Sequence, residues 1–298
     1  MKRIVLLAGA VMAFTGLLNA SSLKVEKDNI LIPAGAYHPI LSEEGDMLLY
    51  TTSDYKGLNL YQIKKNEVIE LSNEDGAGFS ALFSNDEGKV YYRCAKRENH
   101  MMMHDLKSYE IKADRTLEVL PMSREEVKVL PQKGGALIKS GKKNITKITK
   151  SSTPNAYSDY NKIIVEKDGI ETSITPIEDA HSYMWVKVSP NGKKILFSVP
   201  YKGVFACDID GGNAMKIGKG SYPTWYDDST IVVTRSTNDG YHVETSQLIG
   251  IDLRTKGITE LTTPQSMAEE ASCASAIGTI VYSDINGQVR VINVSENE

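Results

Sequence analysis

The feature that most constrains the fold is a unit that returns about every forty residues, because a fixed period of that length signals a repeat architecture. Its clearest copy is Trp185-Val-Lys-Val-Ser-Pro-Asn-Gly192-Lys-Lys-Ile-Leu-Phe-Ser198. Alternating residues are followed by a proline and a glycine suited to a tight turn, then by an apolar run, which reads as strand, turn, strand. Gly203-Val-Phe-Ala-Cys-Asp208 supplies a third strand and Met215-Lys-Ile217 starts a fourth. The same order recurs at His38-Pro-Ile-Leu-Ser-Glu-Glu-Gly45 and, with one extra turn residue, at Ser80-Ala-Leu-Phe-Ser-Asn-Asp-Glu-Gly88. It returns at Tyr222-Pro-Thr-Trp225 and at Ala271-Ser-Cys-Ala274.

Short strands in groups of four, with regular turn signals, are the blades of an all-β propeller. The last unit has only three strands, whereas Leu23-Lys-Val-Glu and Asn29-Ile-Leu-Ile32 are strand-like and unassigned. Pairing residues from about 23 to 33 with strands from 279 to 294 closes the ring and leaves no open edge. Residues 125–176 contain five strand-like pieces but no Ser-Pro-Asp-Gly-like turn. They are counted as one irregular blade, which gives six blades, with seven as the alternative.

Met1-Lys2-Arg3 and the apolar run from Ile4 to Leu18 read as a signal peptide, residues 1–20, cleaved after Ala20. Residues 21–298 then form a single propeller domain, periplasmic or secreted, with no membrane span after cleavage. No cysteine precedes Cys94, so a lipid-attachment site is not expected. A net charge of −4 without long runs of one sign argues against nucleic acid as partner. Cys94, Cys207 and Cys273 are odd in number and lack metal-type spacing; burial as small apolar residues is the favoured reading, and one disulfide the alternative.

The Ser-Pro-Asn-Gly192-Lys-Lys-Ile-Leu-Phe unit and its relatives at Leu41, Phe83, Trp225 and Ala274 resemble the repeat of TolB-type propellers, over essentially the whole mature chain. Gly35-Ala-Tyr-His-Pro39 and Asp239-Gly-Tyr-His-Val-Glu-Thr-Ser246 are similar to features of the single-domain forms in Bacteroidetes. The resemblance implies an exported bacterial propeller. It implies no reaction, because one propeller scaffold hosts many functions.

The chain has no Gly-x-Ser-x-Gly elbow, His-Glu-x-x-His, Cys-x-x-Cys or phosphate-cradling loop. Asp208-Ile-Asp210-Gly-Gly212 sits where strands connect and lacks the later ligands of a calcium loop. Position within the blade is the remaining guide. The residue three before the Leu41, Phe83, Val188, Trp225 and Ala274 positions should border one mouth of the axial channel: His38, Ser80, Trp185, Tyr222 and Ala271. Glu126 and Thr153 stand for the irregular stretch, and Trp225 is assigned to packing between blades. With His242 on a polar loop, His38, Ser80, Trp185 and Tyr222 form the expected ligand site, able to stack on and hydrogen-bond a protein segment or a glycan. The expected function is noncatalytic binding in the cell envelope, by a monomer, with no cofactor. The alternative is a metal-dependent, glycan-active enzyme similar to oligogalacturonate lyases, with His38, His181 and His242 around a cation.

Overall fold

The computed structural model describes residues 23–132, 135–140, 143–146 and 153–296. The expected signal peptide lies outside the described residues. Seven antiparallel sheets follow one another along the chain. Blade 1 spans residues 37–72, blade 2 residues 82–123, blade 3 residues 127–144, blade 4 residues 155–174, blade 5 residues 184–218 and blade 6 residues 221–260. Blade 7 combines three C-terminal strands with the strand Leu23–Ile32. The chain is thus a seven-bladed β-propeller, and the expected count of six is corrected.

The correction has a physical cause in the irregular stretch. It folds as two sheets of three strands each among the described residues, so fifty-odd residues suffice for two blades. The strand not expected from the sequence, Asn155–Asp159, is polar and weakly patterned. One turn of this stretch is a short hairpin: Asp168 and Gly169, with φ of 53° and 85°, connect Lys162–Lys167 to Ile170–Ile174. Asp-Gly is a strong hairpin signal in its own right.

An odd number of strands also delivers the chain to the opposite face. Asn155 Nδ2 donates to Pro131 O, and Lys128 Nζ to Ser158 O, both at 3.4 Å. The first strand of blade 4 therefore lies antiparallel beside the first strand of blade 3, and the second three-stranded blade restores the original direction.

Closure follows the expected pairing. Leu23 faces Glu296 and Ile32 faces Val289 across an antiparallel ladder. Asp28 accepts a hydrogen bond from Arg290 Nε at 3.0 Å and one from the Tyr282 hydroxyl at 3.2 Å.

The core sits between blades. Alternation along each middle strand sends one set of side chains to each neighbour: Leu196 packs toward blade 6, while Ile195 and Phe197 pack toward blade 4. Buried apolar clusters fill six of the seven junctions among the described residues. Trp225 is buried in the cluster between blades 5 and 6, as expected. The junction of blades 3 and 4 is polar. Lys139 pairs with Glu171, which also accepts the Tyr157 hydroxyl at 2.5 Å, while Lys128 lies 4.4 Å over the Tyr157 ring.

Candidate functional site

Each regular blade begins with the same local device. Between Tyr37 and Ile40, Met184 and Lys187, Ser221 and Thr224, and Glu269 and Ser272, the innermost strand carries one extra residue relative to its partner. The residue after the first of each pair is left-handed: His38 (φ 54°), Trp185 (51°), Tyr222 (49°) and Glu270 (51°). Ser80 (59°) holds the equivalent place in blade 2. A bulge of this kind bends the strand and re-aims a side chain. Non-glycine residues there store backbone strain of about 1 kcal/mol or more each. At the other end of these strands, Ser42, Ser84 and Ser189 hold the turns. Each hydroxyl accepts the backbone N–H of the returning strand, from Met47, Lys89 and Lys194 at 3.0–3.1 Å.

The last unit registers one residue earlier than expected. Cys273, not Ala274, pairs as Leu41 and Trp225 do, so the bulge residue is Glu270 while Ala271 is buried in the core. The sequence lacks the proline or bulky residue that would have fixed this register.

The bulges of blades 5, 6, 7, 1 and 2 form an arc around the mouth. The Trp185 and Tyr222 rings lie 4.8 Å apart at 52°. The Tyr222 hydroxyl lies beside the Glu270 carboxylate, and Glu270 Oε2 bonds His38 Nδ1. The imidazole stacks on Tyr55 at 3.9 Å, and Tyr55 meets Phe79 edge-on at 5.3 Å. Tyr55, Phe79, Glu269 and Glu270 were not among the sequence candidates. Phe79 and Glu269 could have been found as the residues just before the bulge position; Tyr55 comes from a loop without repeat signal.

Electrostatics couple these groups. Burial opposes protonation of His38, but the Glu270 carboxylate outweighs it and holds the imidazole pKa above its ordinary value. Burial and the charges of Glu270 and Glu269 push the Tyr222 phenol up to about 12. Burial, then the neighbouring Glu270, raises Glu269.

Ser80 lines a separate cavity of about 240 Å³ with Arg93, Glu126 and Tyr157. Thr153, expected at this mouth, instead lies at the opposite one, because the chain enters blade 4 reversed. There it lines a channel cavity of about 520 Å³ with Pro190, Lys187 and Thr224. Lys187 keeps exposed surface where it lines this cavity; its Nζ donates to Thr224 Oγ1 at 3.0 Å, and desolvation by the surrounding blades pushes the ammonium pKa down.

His242 is 85% exposed on the loop between Thr230–Asn238 and Val243–Asp252, with Nδ1 3.8 Å from Asp239. That hairpin extends past Ser221 and so projects from the same face as the bulges. The strands Ala95–Glu98 and Met101–Glu110 of blade 2 do likewise. Among the described residues no hydrogen bond, ion pair or ring contact joins His242 to His38, Trp185 or Tyr222. Among the described residues the metal-capable groups are Glu74 with Cys94 and Asp105, and Glu44 with Asp46 and Glu87; none includes a histidine. The three cysteines are unpaired, two buried and Cys273 half-buried. Asp208 serves its hairpin, accepting from Lys194 Nζ at 2.8 Å and Asn213 Nδ2 at 2.7 Å.

Fold and mouth together define the class as a β-propeller with a side-chain-lined channel. No protein-family model matches the chain, and no curated protein matches it. Its structure is similar to the Swd1 β-propeller domain of Myceliophteria thermophila, with a TM-score of 0.60 at 8% identity, covering 92% of this chain and 100% of that one. A chain of a mitotic checkpoint complex gives 0.57 at 10% identity, covering 98% of both. The propeller domain of the trilobed protease from Pyrococcus furiosus, described as having open velcro topology, gives 0.56 at 13% identity, covering 88% and 97%. At these identities the likeness is one of fold.

Proposed function

We propose that this chain is a noncatalytic, TolB-like binding propeller of the bacterial cell envelope that holds a protein segment at the bulge mouth. The observation that carries this reading is the arc of Trp185, Tyr222, Glu270, His38 and Tyr55, in which aromatic faces and hydrogen-bonding groups from successive blades form one run of contacts at the channel mouth. Five equivalent residues keep a strained backbone that glycine would relieve, which favours a role for the side chains themselves. The hairpins of blades 2 and 6 extend beyond the bulges on this face, where they would flank an extended chain. Export rests on the charged start and apolar run of residues 1–20. The protein-binding reading is preferred to the metal-dependent one because His38 is engaged by Glu270, His242 lies beside Asp239 on its own exposed loop, and no metal-capable group among the described residues includes a histidine.

The test is a panel of envelope-derived peptides and glycans screened against wild type and the His38→Ala and Trp185→Ala variants. Peptide hits lost in both variants support the proposal. Hits indifferent to both, or confined to glycans, contradict it.

A further inference from the structure

Beside the mouth, a concavity of about 370 Å³ runs outward from Trp185 between blades 5 and 6. Its chemistry is unlike that of the mouth. Lys202, Lys216 and Lys219 line it and no acidic side chain does, although acidic residues outnumber basic ones in the chain. Lys216 and Lys219 are exposed, while Lys202 Nζ donates to Glu178 O at 2.7 Å. One wall is apolar, with Met184 partly exposed, and Tyr201 stands fully exposed at the rim.

An independent observation lies at the floor. Ser198 is 4% exposed, and its hydroxyl has no hydrogen-bond partner. Ser198 shares the strand face of Leu196, which packs toward blade 6, so the hydroxyl is turned to this groove. Leaving a buried hydroxyl without a partner is unfavourable, a cost that a ligand acceptor would remove.

We infer that this groove is an anion subsite for an acidic peptide segment, with carboxylate side chains between Lys216 and Lys219 and an aliphatic side chain against Met184. The inference deepens the proposed function and rests on the reading of this face as a peptide-binding surface. A peptide fits better than a sugar. No Asn, Gln, Asp, Glu or Arg lines the groove, and these are the planar groups that read sugar hydroxyls in pairs. The ammonium groups supply point charges, and the thioether wall supplies adaptable apolar contact.

The experiment uses fluorescence anisotropy with a labelled peptide whose core is Glu-Leu-Glu and with its Gln-Leu-Gln counterpart. The full mature chain is tested as wild type, Lys216→Ala/Lys219→Ala, Ser198→Ala and His38→Ala/Tyr222→Ala, with melting curves for each. Wild type is expected to bind the acidic peptide saturably and at least tenfold more tightly than the neutral one, more weakly as salt rises. The double lysine variant should lose at least tenfold in affinity with an unchanged melt, and Ser198→Ala should lose several-fold. Charge reversal, Lys216→Glu/Lys219→Glu, should turn the preference toward a Lys-Leu-Lys peptide. Equal binding of the two peptides, or an unaffected lysine variant, overturns the inference. So does saturation by an oligouronate without saturation by the acidic peptide, or full competition by equimolar inorganic sulfate. If His38→Ala/Tyr222→Ala leaves acidic-peptide binding intact, the groove stands and the mouth reading alone fails.

Discussion

At the residue scale, the bulge positions separate what the backbone wants from what the side chain does. A left-handed residue favours glycine, yet His38, Trp185 and Tyr222 occupy the site. Tyr222→Gly should therefore keep the melting free energy within about 1 kcal/mol, because relief of backbone strain offsets the lost contact with Trp185. Thermal or urea melting reads this, and a loss of several kcal/mol would show that the ring is a core element. The His38–Glu270 pair makes stability depend on pH. The folded pKa of His38 is raised, so its contribution is fully present below the ordinary histidine value of 6.5 and is lost as pH rises through the folded pKa. Glu269, also raised, lowers stability with rising pH in a window that opens lower, at 4.5. Melting of wild type and Glu270→Gln from pH 6 upward should show the upper fall only in wild type. The residues legible in the sequence were those whose repeat copy carried a proline or bulky marker, His38-Pro39 and Tyr222-Pro223. Glu270 was missed by one position because Ala271-Ser-Cys-Ala274 has no such marker.

At the element scale, among the described residues, the junction of blades 3 and 4 differs from the other six in being held by charge rather than by a buried apolar cluster. Lys139 is buried while Glu171 is partly exposed, so Lys139→Ala should cost about 1–3 kcal/mol by leaving Glu171 without the Lys139 ammonium, while the Tyr157 hydroxyl still donates to Glu171. Screening reaches an exposed carboxylate, so wild type should lose part of this contribution in 1 M salt and the variant should not. Equal salt responses would contradict the role given to the pair. This seam coincides with the stretch that periodicity could not divide, for a common physical reason. Three-stranded blades lack the forty-residue period, and polar strands such as Asn155–Asp159 lack the apolar alternation on which sequence recognition depends.

At the scale of the whole molecule, the ring is closed by a strand from one end of the chain and three from the other. Leu23–Ile32 contributes Leu23, Val25, Leu31 and Ile32 to the cores on both sides of blade 7. Deleting residues 23–32 should cost on the order of 5 kcal/mol or more and broaden or abolish the cooperative melt. An unchanged melt would show that the ring is held elsewhere. This closure was legible because ladder pairing needs only two apolar strands and an open edge, whereas the mouth depends on register and on loops such as that carrying Tyr55. The most direct measurement of the binding site is the pairing of affinity with stability in one variant, Trp185→Gly. Using any peptide recovered from the envelope panel, affinity should fall at least tenfold while the melting temperature stays within a few degrees of wild type. A melting temperature that collapses while the folded fraction binds as before would contradict the assignment of this mouth as the ligand site.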